Sequence, residues 1–371
     1  MPAPSDSQAP TAFLALIGRR ALAIAALAVA ATVVAALLQV VGQHGVPVFV
    51  ASAVALAALA FLVGEATDQL GGRLGPGATG VLQSALGNLP ELFISLFALQ
   101  AGLVVVVQTA LVGSILANSL LVLGLAFVFG GLRHGEQRFE RGPAGMIATL
   151  LLLATAALTI PALATAPGAP DFGHPVDLSV VVSVVLLVIF VASIPFSIGG
   201  GQGASHGGLE LEAVWPLGLA VGVLAIAGAG AALVSDWFVD SLQPSMATLG
   251  LSEAFVGLVV VAIAGNAVEN VVGVQMAARG KPDLAISLIL NSSLQVALAL
   301  VPALVLISLV VGAAPMTLVL PPLFIGALAM SALLGALITA DGKSTWLEGL
   351  ALVGLYVIVA ASTWWGPVAG S

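Results

Sequence analysis

Cysteine is absent from this chain of 371 residues, which excludes disulfides, thiolate metal sites and cysteine nucleophiles, and leaves the compartment unreadable from redox chemistry. Charge is nearly as scarce. Only 7% of residues are Asp, Glu, Lys or Arg, against roughly 25% in a soluble domain. Nine basic residues face 17 acidic ones for a net charge of −8, which argues against a nucleic-acid partner and suits a cation pathway. The HExxH and GxGD signatures of intramembrane proteases are missing, as is a phosphate loop for ATP. His44, His134, His174 and His206 all fall outside the long apolar runs, so no buried histidine relay is expected. No residue pattern points to an enzyme or to a cofactor.

What is present is hydrophobicity: 60% of residues are apolar and the mean hydropathy is +1.19. Runs of about 20 apolar residues cross a bilayer as helices. They fall near 21–41, 47–64, 78–100, 103–130, 144–165, 178–198, 213–234, 252–279, 283–311, 318–340 and 346–365. The predicted fold is therefore all-α and polytopic, with eleven transmembrane helices. Turn chemistry marks the breaks, as at Gly42 to Pro47, Pro167 to Pro175 and Asp341-Gly342. Residues 1–11 read as a disordered tail, and Arg19-Arg20 before the first run do not make it a cleaved signal peptide, because ten more runs follow.

Loop charge tests the count independently. If Arg19 and Arg20 are cytoplasmic, every second loop is too, and those loops hold Arg73; Arg133, Arg138 and Arg141; Arg279 and Lys281; and Lys343. All nine basic residues then lie inside, while Asp171, Asp177, Asp236 and Asp240 lie outside. The chain is expected in the cell (inner) membrane, N-terminus cytoplasmic and C-terminus external.

Two of the runs carry buried acids in matching surroundings. Gly87-Asn88-Leu89-Pro90-Glu91 has an echo in Gly265-Asn266-Ala267-Val268-Glu269, at an offset of 269 − 91 = 178 residues that also aligns Ser114 with Ser292 and Leu116 with Leu294. Residues three apart share a helix face, so each copy presents an amide and a carboxylate side by side. Five spans separate the two acids, an odd number, so the copies are inverted. The layout is a tail over 1–20, an extra helix over 21–41, one five-helix repeat over 47–198, a cytoplasmic linker over 199–212 and a second, inverted repeat over 213–371. Inverted repeats around a midplane polar site are the architecture of secondary transporters.

Depth gives these acids their meaning. Glu91 is near the centre of its span, and Glu269 is roughly 6 Å past the centre of its own at 1.5 Å per residue. A charge there costs on the order of 2.5–3.5 kcal/mol, and no Lys or Arg within the spans is available to pair with it. Glu91, Glu269, Asn88 and Asn266 are thus the candidate cation ligands. A second tier comprises Ser84, which with Ser95 extends the stripe of Asn88 and Glu91, then Asn270, Ser114, Asn118, Ser292 and Gln295; small polar residues also pack helices in membranes. Gly87, Pro90 and Gly265 weaken the helices beside the acids, which either frees carbonyls for an ion or merely kinks the spans. Glu65, Asp68, Asp236 and Asp240 read as solvated span ends. Thr345 and Glu348 have the spacing of a capping box.

The stretches 84–131 and 262–308 resemble the α-repeats of the calcium/cation antiporter superfamily, most closely its calcium/proton exchanger branch. The matching pieces are the two Gly-Asn-x-x-Glu patterns, Gly113-Ser114-Ile115-Leu116 through Gly124, and Ser292-Ser293-Leu294-Gln295. The resemblance implies that Glu91 and Glu269 carry cation and protons, with Asn88 and Asn266 beside them. Asn270 stands where that branch commonly has His, and Pro90 is more like the sodium/calcium exchangers.

Charge balance gives the expected mechanism. Ca²⁺ takes six to eight oxygen ligands in irregular geometry, and two facing carboxylates without it cannot both stay ionised, so protons take its place. The expected function is exchange of Ca²⁺, or a similar divalent cation, for H⁺ by alternating access across the lipid bilayer. Na⁺ as counter-ion, Na⁺/H⁺ exchange and a cation channel are the other readings open to these residues.

Overall fold

The computed structural model describes residues 18–74, 86–199 and 215–365. In chain order its helices are α1 (Arg19–Val40), α2 (Val46–Leu74), α3 (Leu89–Gln100), α4 (Val104–His134), α5 (Arg141–Ala164), α6 (Pro175–Gly199), α7 (Leu217–Leu249), α8 (Glu253–Gly265), α9 (Ala267–Ala278), α10 (Pro282–Val311), α11 (Pro322–Ala340) and α12 (Trp346–Trp364). The strands β1 (Gln137–Arg138) and β2 (Lys343–Ser344) pair antiparallel. Among the described residues nine helices are long and apolar enough to cross a membrane, and α8 with α9, bent by 66°, makes a tenth if taken as one span. The 12-residue α3 is the described part of the expected span 78–100; residues 75–85 lie outside the described residues, as do 1–17, 200–214 and 366–371.

Two helices exceed their expected ends. α2 continues to Leu74 and α7 to Leu249, so Glu65, Asp68, Asp236 and Asp240 are helix-interior residues and not span ends. Hydropathy breaks off at the first acids, whereas the backbone ladder is satisfied whatever the side chain. At the N-terminus α1 begins at Arg19, two residues before the expected span.

Hydrogen bonds sort the connections into two ends. At one, Arg73 donates to the Trp215 carbonyl, Arg133 and His134 lie 3.4 and 3.1 Å from the Ala278 carbonyl, and the Glu140 N–H donates to Asp283 at 2.6 Å. There too β1 meets β2, and Ala21 of α1 packs with Leu70 and Trp215. At the other, the Ala313 N–H donates to the Leu99 carbonyl at 3.1 Å, Gln108 to the Thr317 carbonyl at 2.7 Å, and the Leu318 N–H to the Ser179 hydroxyl at 2.9 Å. All nine basic residues belong to the first end, as the alternation of loop charge requires.

The 178-residue offset reappears in the backbone. α3 and α9 cover 89–100 and 267–278, α4 and α10 begin at 104 and 282, and the turns between them pivot on Gly102 and Gly280 at φ 77° and 73°, a conformation that costs glycine little. α3 runs to the Leu99 end and α9 to the Ala278 end, so the two helices point in opposite directions. Within α4 and α10 the hydrogen bonding widens to a π turn, Ala117–Val122 and Val296–Leu300, again nearly in register. Such turns tend to occur at functional sites.

Close backbone contact fixes α4 at the centre. A Cβ on Gly113 would stand 2.3 Å from the Leu258 carbonyl oxygen, and one on Gly257 only 2.6 Å from the Val106 oxygen, so α4 and α8 touch backbone to backbone. Gly124 and Gly349 allow the same between α4 and α12. In a bilayer, where apolar burial does not drive helices together, this closeness supplies the dispersion contact that holds them.

Candidate cation site

The site forms where two helices stop and restart. Asn88 and Asn266 sit at the N-caps of α3 and α9 with φ, ψ of −93°, 15° and −107°, 24°, outside the helical range, and neither side chain makes a capping bond. The amide and the acid are therefore not two points on one continuous helix, as the spacing predicted, but the cap and the third residue of a new one. Gly87 and Gly265 precede the breaks, and Pro90 fits the first turn, where a missing N–H costs nothing. Each carboxylate then sits in the first turn, where unpaired N–H groups and the helix dipole favour negative charge.

Two side-chain hydrogen bonds join the two halves of the chain. The Ser114 hydroxyl donates to Glu91 Oε1, and Ser114 Oγ in turn accepts from Asn266 Nδ2 at 2.9 Å. Asn266 Nδ2 also reaches the Ala262 carbonyl at 3.0 Å, and Asn118 Nδ2 donates to the Ser292 hydroxyl at 3.0 Å. Glu91, Ser114, Asn118 and Asn266 are fully buried, and Asn88 and Ser292 nearly so. Gly265 makes the approach possible, since a Cβ there would lie 3.3 Å from that of Glu91. The half-buried Glu269 is near enough for its charge to act on Glu91. Neither acid forms an ion pair with Lys, Arg or His among the described residues.

What these groups leave unpaired defines the chemistry. Glu91 Oε2, Asn118 Oδ1, Asn266 Oδ1 and Asn270 Oδ1 are buried oxygens without a hydrogen-bond partner. A buried acceptor left unmatched costs about 1–3 kcal/mol, and native structures hold few of them. The four are one carboxylate and three amide oxygens, hard acceptors of the kind that Ca²⁺ takes, and a carboxylate can also take up a proton. Among the described residues no three His, Asp or Glu side chains gather as a metal cluster.

Not every expected residue is placed here. Ser84 lies outside the described residues, and Gln295 is half-buried immediately before the π turn of α10. Two further polar residues lie near these acids. Asp68 of α2 acts through its charge on Glu269, an effect hidden by the early end assigned to that span; its spacing of three from Glu65 was the available signal. Ser95, one turn beyond Glu91, has a buried and unpartnered hydroxyl.

The fold has known counterparts. A model of the family described as "Sodium/calcium exchanger protein" matches residues 44–199 and 219–365. The chain is 35% identical over 341 residues to the Ca(2+)/H(+) antiporter of Synechocystis sp., covering 86% of this chain and 91% of that protein. It is 35% identical over 320 residues to the Ca(2+)/H(+) antiporter ChaA of Bacillus subtilis, covering 84% and 90%. The solved structure of native YfkE superposes with a TM-score of 0.79 at 31% identity, covering 92% of this chain and 99% of that one.

Proposed function

Given that the chain belongs to the sodium/calcium exchanger protein family, in its calcium/proton antiporter branch, we propose that it exchanges Ca²⁺ for H⁺ across a membrane at the site between α3 and α9. The observation that carries this reading is the link from Glu91 through Ser114 to Asn266, which joins acid and amide from opposite halves beside four unpaired oxygens.

Glu91 and Glu269 supply charge, and Asn88 and Asn266 stand beside them. Ser114, Asn118, Asn270 and Ser292 hold or complete the shell, with Ser84 and Gln295 at its margin. A divalent cation neutralises both carboxylates and protons do the same, so each state hides the charge from the bilayer and the mixed states do not. Coupling follows because the costly uncompensated charge disfavours movement of the empty, ionised site.

The eleven-span layout accounts for the described helices as nine full spans, the bent pair α8 and α9, and the span ending in α3. Support for two inverted repeats, 47–198 and 213–371, comes from the shared offset, the opposed directions of α3 and α9, and the double family match. Alternating access then arises as these halves move against one another. The end that holds every Lys and Arg is cytoplasmic, in the cell membrane, which places the N-terminus inside and the C-terminus outside.

In everted vesicles carrying the protein, a pH gradient drives Ca²⁺ uptake, and Glu91→Gln or Glu269→Gln abolishes it. Retained uptake in both variants defeats the reading. Uptake driven by a Na⁺ gradient without a pH gradient assigns Na⁺ as the counter-ion.

A further inference from the structure

α9 carries Glu269 in its first turn and is bent away from α8 by 66° at Asn266, so no straight helix braces it on the acid's side. Where Glu269 stands then depends on how the far end of α9 is held. Ala277 lies 277 − 269 = 8 residues further along the same helix, about 12 Å at 1.5 Å per residue. Its carbonyl accepts from Gln137 Nε2 at 3.3 Å, and the next carbonyl, that of Ala278, lies 3.1 Å from His134 and 3.4 Å from Arg133. All three side chains belong to the end of α4 or the connection after it, in the other half of the chain. His134 and Arg133 are exposed, where water competes for the carbonyl, whereas Gln137 is buried.

Gln137 is itself clamped. On β1 it stands opposite Ser344 of β2, the Phe139 N–H donates to the Gly342 carbonyl at 3.0 Å, and Glu136 pairs with Arg138 at 3.2 Å and with Lys343 at 3.4 Å. Gly130 of α4 leaves room for the amide, since a Cβ there would collide with it. The Ala277 carbonyl has a second donor in the Gly280 N–H at 3.0 Å, so Gln137 is not needed merely to satisfy it. The tie has a counterpart at the other end of the molecule. Leu99 of α3 corresponds to Ala277, because 277 − 99 = 178, and its carbonyl accepts from the Ala313 N–H at 3.1 Å, in the connection that follows α10. Each acid-bearing helix is thus bound at the same far carbonyl by the other half, once through a side chain and once through the backbone.

Resting on the reading of Glu269 and Asn266 as cation ligands, we infer that Gln137 is a positioning residue, which fixes the far end of α9 and through that helix sets where both ligands stand against Glu91. Lateral packing does not do this alone. α9 rests on α10 where a Cβ on Gly273 would lie 2.7 Å from Ile289, and apolar contact has no preferred direction, whereas a hydrogen bond has one. Without the tie α9 takes several positions along its axis and the cation must select one, so affinity drops while a filled site moves as before.

Gln137→Met tests this. Methionine keeps the reach of the side chain over Gly130 and gives up only the bond to Ala277, because Gln137 Oε1 has no partner among the described residues and the carbonyl keeps Gly280. In proteoliposomes the Ca²⁺ concentration for half-maximal exchange rises about 2- to 10-fold, the range of one hydrogen bond, and the maximal rate per folded protein is unchanged. Equilibrium Ca²⁺ binding to purified protein weakens by the same factor. Thr345→Ala, whose bonds stay within the cap of α12 at the same end, controls for lost stability and keeps wild-type affinity. A maximal rate that falls at unchanged half-maximal concentration, or binding equal to wild type, overturns the positioning role and leaves the cation site standing. Weaker binding by Gln137→Met beside a wild type without pH-driven uptake upholds the positioning role and removes H⁺ as the counter-ion. A wild type that binds no Ca²⁺ removes the site, and the role of Gln137 with it.

Discussion

Ser114→Ala removes the atom on which both halves of the chain converge. Its hydroxyl donates to the fully buried Glu91 and accepts from Asn266, which keeps a second bond to the Ala262 carbonyl at 3.0 Å. The amide is thus still satisfied, and the loss falls on Glu91, whose Oε2 already lacks a partner. A hydrogen bond to a charged group contributes about 1.5–3 kcal/mol. The bound ion must now order the carboxylate and amide that the serine held in place, and at 1.4 kcal/mol per factor of ten Ca²⁺ binding weakens about 10- to 100-fold. Isothermal titration of purified protein with Ca²⁺ at fixed pH measures this directly. The control is Ser119→Ala, equally buried on the same helix, whose hydroxyl bonds at 2.5 Å to the Ile115 carbonyl and does not touch the acid. Equal Ca²⁺ affinities for Ser114→Ala, Ser119→Ala and wild type refute the reasoning.

Other outcomes follow from the same contacts. Gly265→Val directs branched methyls at Glu91, whose Cβ would lie 3.3 Å from the new one, so Ca²⁺ uptake in everted vesicles falls while the amount of protein in the membrane does not. Gly113→Ala drives a Cβ into the Leu258 backbone at 2.3 Å and destabilises by about 1–3 kcal/mol, read as a lower melting temperature in detergent. By contrast Gly228→Ala on α7, with no atom within 4 Å, stabilises by about 0.5–1 kcal/mol and raises the melting temperature. Because carboxylates must be ionised to hold metal, apparent Ca²⁺ affinity falls as the pH is lowered, and added Ca²⁺ restores occupancy; affinity independent of pH in a binding titration contradicts shared ligands. Thr345→Ala breaks the capping box of α12 and costs about 1 kcal/mol of stability without altering Ca²⁺ affinity.

Much of the site could be read from residues because two copies of one pattern check each other. Glu91 and Asn266 meet at Ser114, the two breaks at Asn88 and Asn266 keep the 178-residue register, and the Thr345–Glu348 box is formed as its spacing required. The first helix break takes in Gly87 and Asn88 but the second falls on Asn266 alone, with Gly265 still helical, since a preference for bending does not say which residue absorbs the bend. Nothing in composition marks the π turns, which express a mismatch between packing and helical repeat. The ends of α2 and α7 were misplaced because hydropathy reports solvent preference, while helix length depends on backbone bonding; that error concealed Asp68. The pairing of β1 with β2 joins segments over 200 residues apart through two residues each, too short for any alternating pattern.

The opposed start of α3 and α9 reaches further than the coordination shell. Positive helix termini converge on the acids from both halves, so the fixed backbone dipoles largely cancel along the membrane normal and no built-in slope pulls a departing ion toward either face. As in any passive exchanger, the sense of net flow is decided by the two concentration gradients and the voltage, and reversing them turns an exporter into an importer without altering a single residue.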